Sequence, residues 1–140
     1  MSLIVIVGFG KIGKRYFAIL KKKQLNILII RKSKKKIFYK KRNISKSYEH
    51  IDKIINKKID GVIIASPSET HWNYLKIFLK KKIDIIVEKP VVYSLSESLK
   101  LDKLIKKFKG NFYINHSDLY DSNFLGLTKK KINLNDVKKL

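Results

Sequence analysis

A run of five apolar residues, Leu3-Ile-Val-Ile-Val7, ends at Gly8, and glycine then returns at Gly10 and Gly13. Few local patterns restrict a fold more. A β-branched run with no polar alternation belongs to a strand covered on both faces, the condition of a central strand in a parallel sheet. In the turn that follows, Gly8 permits a tight reversal, Gly10 lets another molecule approach the backbone, and Gly13 lets the next helix press against the strand. Ile12, Tyr16, Ile19 and Leu20 recur at helical spacing directly afterwards. A strand, a glycine turn and a helix in that order present free N–H groups and the positive end of a helix dipole. That is the chemistry of a pyrophosphate site.

The rest of the chain repeats the alternation. Ile27–Ile30, Val62–Ala65, Ile83–Val87 and Phe112–Ile114 read as further buried strands. Lys32–Arg42 reads as a basic loop with a short extended piece at Ile37–Tyr39. Ser47–Lys57 reads as a helix with Ile51, Ile54 and Ile55 on one face. Ser66 stands three residues before Glu69, a capping-box spacing with Pro67 at the first helical position, and predicts a helix through Trp72, Leu75, Phe78 and Leu79. Ser94 and Glu97 repeat the spacing before Leu101, Leu104, Ile105 and Phe108, with Gly110 as the stop. Leu119–Lys131 is weakly helical. Apolar strands alternating with helices predict an α/β fold: a Rossmann-type doubly wound parallel sheet in three αβα layers.

Charge bears on the ligand. The chain carries 33 basic and 11 acidic residues, 33 − 11 = +22, over 140 residues. Only Arg15, Arg31 and Arg42 are arginine, leaving 33 − 3 = 30 lysines. Arginine is the better reader of base edges, and no nucleic-acid motif accompanies the lysines, so no nucleic-acid partner is expected. The first acidic residue is Glu49. A dinucleotide unit selective for NAD places a carboxylate after its second strand to hold the ribose 2′-hydroxyl; here Arg31, Lys32 and Ser33 occupy that stretch and suit a 2′-phosphate. NADP is therefore expected over NAD. With no cysteine, thiolate metal sites and disulfides are excluded; no metal is expected. No apolar run approaches the ~18 residues of a membrane span, and a cytoplasmic setting is expected.

Two further motifs follow predicted strands: Ala65-Ser66-Pro67-Ser68-Glu69-Thr70-His71 and Glu88-Lys89-Pro90. With the loop Gly8-Phe9-Gly10-Lys11-Ile12-Gly13, they resemble the glucose-fructose oxidoreductase / inositol dehydrogenase (Gfo/Idh/MocA) family, over residues 1 to about 120. The resemblance implies an NAD(P)-dependent oxidoreductase acting on a small-molecule sugar or polyol. Residues 8–13 would bind the cofactor at its pyrophosphate, and Arg31, Lys32 and Ser33 at its 2′-phosphate. Ala65, Ser66 and Pro67 would line the groove towards nicotinamide, and His71 would shape that turn. Glu88 would sit near the nicotinamide ribose. Lys89 would reach nicotinamide and the substrate hydroxyl as the catalytic residue, aimed by a cis bond to Pro90. A lysine there suits proton handling or hydrogen bonding to a developing oxyanion, while the cofactor carries the redox step.

Family members are more than twice this length, and the implied division is a cofactor domain over 1–120 and the start of a substrate domain, or a tail, over 121–140. A homo-oligomer or a partner chain supplying the second domain is the expected assembly. His116, Asp118 and Asp121 cluster after the fifth predicted strand, where the family often has arginine, and are further candidates for cofactor or substrate contact. Two other readings stand beside this one: a non-catalytic nucleotide-sensing module, which fits the length but leaves Glu88-Lys89-Pro90 unexplained, and a basic nucleic-acid-binding protein, which fits only the charge.

Overall fold

A computed structural model describes residues 2–31 and 46–116. Six strands form one sheet: β1 (Leu3–Val7), β2 (Asn26–Ile30), β3 (Lys46–Tyr48), β4 (Gly61–Ile64), β5 (Asp84–Glu88) and β6 (Phe112–Asn115). Every pairing is parallel, in the order β3-β2-β1-β4-β5-β6. The order reverses beside β1, which has β2 on one side and β4 on the other, and ligands of open α/β sheets bind at such a switch point, off the carboxyl ends of the strands.

Among the described residues three α-helices connect the strands: α1 (Lys11–Lys22), α2 (His71–Phe78) and α3 (Leu95–Ile105). They divide between the two faces. Phe17 of α1 packs with Ile6, Ile27 and Ile29, and Phe9, Tyr16 and Leu20 border that cluster. Leu75 and Phe78 of α2, with Leu79 beyond it and Leu101 of α3, cover Val5, Val7, Leu28, Ile30, Val62, Ile64, Ile85 and Val87. Alternate residues of β1 and β2 thus go to opposite layers, and both layers are apolar. The predicted α/β class, the doubly wound parallel sheet and the three-layer αβα arrangement all stand.

Three local expectations are corrected. Ser47–Lys57 is not a helix. Lys46–Tyr48 is an edge strand in register with Leu28–Ile30, and only Ile51–Lys53 makes a turn of 3-10 helix. Sheet pairing takes Ser47 and Tyr48, the Arg31 N–H adding a bond to the Tyr48 carbonyl at 2.9 Å. The short crossover left over buries Ile54 completely and Ile59 nearly so without a helix to carry them.

The second correction concerns Ser66. Pro67 is extended at ψ 139°, the chain enters a 3-10 turn over Ser68–Thr70, and α2 begins only at His71. No capping box forms there. Third, Gly110 is not a left-handed helix stop, because Gly8 is the one glycine with positive φ among the described residues. A side chain at Gly110 would collide with the Ile83 carbonyl, so close approach of the chain to β5 demands the glycine. Ser94, by contrast, caps α3 as its spacing predicts: its Oγ accepts the Glu97 N–H at 3.2 Å. The predicted extended piece at 37–39 and the weak helix at 119–131 fall outside the described residues.

Candidate functional site

The carboxyl edge of the sheet begins with the glycine turn. Gly8 sits at φ +90° and donates its N–H to the Ile30 carbonyl at 2.8 Å, which ties the turn to the end of β2. A Cβ on Gly8 would lie 2.5 Å from the Ala65 oxygen and 2.6 Å from the Ser66 Cα. The turn after β1 and the turn after β4 are therefore in contact backbone to backbone. A Cβ on Gly13 would overlap the Gly8 carbonyl, so α1 is seated against its own turn.

Gly10 differs from both. Its φ is −73°, which any residue adopts, and a Cβ there would meet nothing within 4 Å. The protein's own packing gives no reason for a glycine at this position. A ligand that needs the backbone bare does. No side chain caps α1, and its first turn holds no acidic residue, so its leading N–H groups face outward with the dipole unopposed. These features fit a dinucleotide pyrophosphate.

Phe9 packs edge-on against Phe17, ring centroids 5.5 Å apart. The Arg31 guanidinium carbon lies 6.0 Å from the Phe9 centroid, which holds Arg31 beside the glycine turn at the end of β2. Lys32 and Ser33 lie outside the described residues.

Beyond β4, the Thr70 hydroxyl donates to the Pro67 carbonyl at 2.7 Å. Its single proton is then spent, so the Ser66 hydroxyl is the donor in the 2.7 Å bond between the two. His71 is 1 % exposed. Its Nδ1 lies 2.9 Å from the Pro90 carbonyl oxygen and its Nε2 2.8 Å from that of Ser66. The imidazolium donates to both at once, either neutral tautomer to one. The ring thus bridges the turn after β4 to the turn after β5, Pro90 lying 19 residues beyond His71 in sequence.

In that last turn the Lys89–Pro90 bond is cis, as the motif implies, and both residues are exposed. Glu88, the final residue of β5, accepts two hydrogen bonds on Oε1, from the Tyr16 hydroxyl at 3.0 Å and from Asn115 Nδ2 at 2.6 Å. Burial, then the hydrogen bond to Glu88 and its charge, hold the Tyr16 phenol protonated well above the ordinary tyrosine range, against smaller opposite effects of Asn115 and Arg15. Tyr16 and Asn115 were not expected at the site. Tyr16 reads as one more residue of an apolar stripe, and only its hydroxyl hinted at another use. Asn115 pairs with Glu88 through strand register, which no local pattern encodes. His116 is exposed, and its N–H donates to the Ile114 carbonyl at 3.0 Å. Asp118 and Asp121 lie outside the described residues.

Residues 3–116 match the model of an oxidoreductase family with an NAD-binding Rossmann fold. The oxidoreductase YdgJ of Escherichia coli K12 is 33% identical over 69 residues, 49% of this chain and 20% of that protein. YgjR of the same strain is 46% identical over 39 residues, 28% of this chain and 12% of that protein. The chain thus aligns with a fifth or less of the curated relatives it matches. Among solved structures, myo-inositol 2-dehydrogenase from Lactobacillus plantarum superposes with a TM-score of 0.76 at 19% identity, over 91% of this chain and 40% of that one. Biliverdin reductase from Synechocystis, in complex with biliverdin and NADP+, gives 0.76 at 16%, over 92% and 42%. These two share the fold. With its family model matched from the first strand to the last, the chain belongs to the Gfo/Idh/MocA oxidoreductases, in the part that forms their NAD-binding Rossmann fold.

Proposed function

We propose that residues 1–120 are the cofactor domain of an enzyme that moves a hydride between a nicotinamide dinucleotide, NADP in preference to NAD, and a sugar or polyol carbon. The observation that carries this reading is the interlocking of three turns on one edge of the sheet. Gly8 abuts Ala65 and Ser66, and His71 bridges Ser66 to Pro90, so the three motifs form one continuous rim. The leading N–H groups of α1 bind the pyrophosphate. Arg31 takes the 2′-phosphate, with Lys32 and Ser33 as further donors. Phe9, Lys11 and Ile12 flank the phosphates, and Ala65, Ser66 and Pro67 line the groove.

The bound nicotinamide supplies the hydride acceptor. Lys89 Nζ takes the substrate hydroxyl proton as the carbon–hydrogen bond breaks, leaving a carbonyl, and returns it in the reverse direction. The Lactobacillus relative is named for a polyol and the Synechocystis relative is held with NADP+, which supports both choices. A cytoplasmic setting suits a chain without cysteine.

The test is a titration of the purified chain with NADPH, NADH and a DNA oligonucleotide at two salt concentrations. NADPH is expected to bind more tightly than NADH and to keep its affinity in salt. Arg31→Ala should weaken NADPH by about 1.5–3 kcal/mol, the worth of a hydrogen bond to a charged group, and leave NADH unchanged. Oligonucleotide binding alone, collapsing with salt, would overturn the reading.

A further inference from the structure

Glu88, Tyr16 and Asn115 come from three elements and meet at one carboxylate oxygen. Glu88 and Asn115 end β5 and β6 and are register partners, so their side chains leave the sheet on the same face. That is the face α1 covers, and Tyr16 reaches across from the second turn of α1. Both hydrogen bonds land on Oε1. Among the described residues Oε2 is left to accept from something else. A carboxylate held through one oxygen by donors on two separate elements has lost its freedom to rotate. Its other oxygen is aimed before any ligand arrives.

The place where it is aimed follows from the sheet. The glycine turn lies at the end of β1, and Arg31 lies on its β2 side. A dinucleotide centred on that turn lays its second nucleotide over β4 and β5. β5 is two strand spacings from β1, about 10 Å, which is the reach of a nucleoside from its phosphate.

We propose that Tyr16 and Asn115 are positioning residues that fix Glu88 as an oriented anion against the nicotinamide nucleoside. The inference rests on the cofactor reading above and adds two residues and an electrostatic role to it. The aimed oxygen accepts from a ribose hydroxyl or the carboxamide. Its negative charge favours the oxidised, cationic ring over the reduced, neutral one.

The experiment compares two ligands on the full chain: the preferred dinucleotide in both redox forms, and its adenine half, 2′,5′-ADP or ADP. Tyr16→Phe and Asn115→Ala should each weaken the oxidised dinucleotide about tenfold while the adenine half stays within twofold. Glu88→Gln, which keeps the shape and removes the charge, should cut the preference for the oxidised form about fivefold. Tyr16→Phe added to Glu88→Ala should cost nothing more, because Tyr16 acts through the side chain that Glu88→Ala removes. Equal losses on both ligands, or additive losses in the double variant, would make Tyr16 a packing residue and overturn the proposal. Wild-type chain that binds neither dinucleotide would sink the cofactor reading instead, and this inference with it. Should Tyr16→Phe fail to fold, Asn115→Ala decides alone, since its side chain lies at the sheet's edge.

Discussion

The Tyr16 ring borders the apolar cluster on the α1 face, while its hydroxyl sits 3.0 Å from a Glu88 oxygen. Ionising that phenol would set an anion against a carboxylate in a partly dry site, so the folded state keeps the proton to higher pH than the ordinary value of 10.0. Unfolded, the same tyrosine ionises near pH 10. The stabilisation is therefore whole below that pH and declines as the pH climbs towards the folded value. Lysines titrate in the same range, and Tyr16→Phe separates them. Wild type should lose stability relative to the variant above pH 10, by at most about 1.4 kcal/mol per pH unit, trimmed by the solvent at a partly exposed ring. Urea midpoints at pH 9, 10 and 11 read it out, and a constant difference would refute the assignment. Gly8 and Gly13 in the turn after β1 were legible because each meets a conformational or steric need that only glycine meets, while Gly10 has no such need within the fold. Tyr16 was not, because a helical stripe records where a residue packs and says nothing of where its polar tip ends.

Two serines with the same spacing show how elements settle what residues leave open. Ser66 and Ser94 each precede a glutamate by three. Ser94 is followed by Leu95 and caps α3; Ser66 is followed by an extended proline and turns its hydroxyl to Thr70. Ser94→Ala should accordingly cost about 0.5–2 kcal/mol, a normal price for a lost cap, visible as a lower urea midpoint with an unchanged slope. No change would mean that α3 is held by Leu101 and its neighbours alone. β1, β2, β4 and β5 announced themselves as apolar runs, since strands covered on both sides need no alternation. Lys46-Ser-Tyr48 could not do so. It carries no strand pattern of its own and is extended because β2 offers it an unpaired edge. Its neighbour Ile54 then reaches the core without a helix to carry it.

At the scale of the whole molecule the conflict is between a small apolar sheet and a charge of +22. The parallel sheet and its two helical layers followed from the sequence, because alternating strands and helices admit few topologies, whereas the edge place of β3 did not. The energetic cost of the charge did not, since it depends on which lysines fold brings near one another. Few carboxylates are available to offset them. The exposed Asp102–Lys106 pair, at 2.7 Å, is an i,i+4 contact of small worth. Folding concentrates like charge, so self-repulsion opposes it, and dissolved ions weaken that repulsion over a Debye length of about 10 Å at 0.1 M. Urea carries no charge and leaves this effect visible, whereas guanidinium chloride would mask it. The urea midpoint should therefore rise when sodium chloride goes from low millimolar to 0.2 M, with the slope preserved. Saturating pyrophosphate-containing dinucleotide should shrink that rise, because the bound anion neutralises part of the same field at the end of α1. A midpoint that fell with salt would show that attractive pairs outweigh the repulsion, and the basic surface would then be a source of stability instead of a load on the fold.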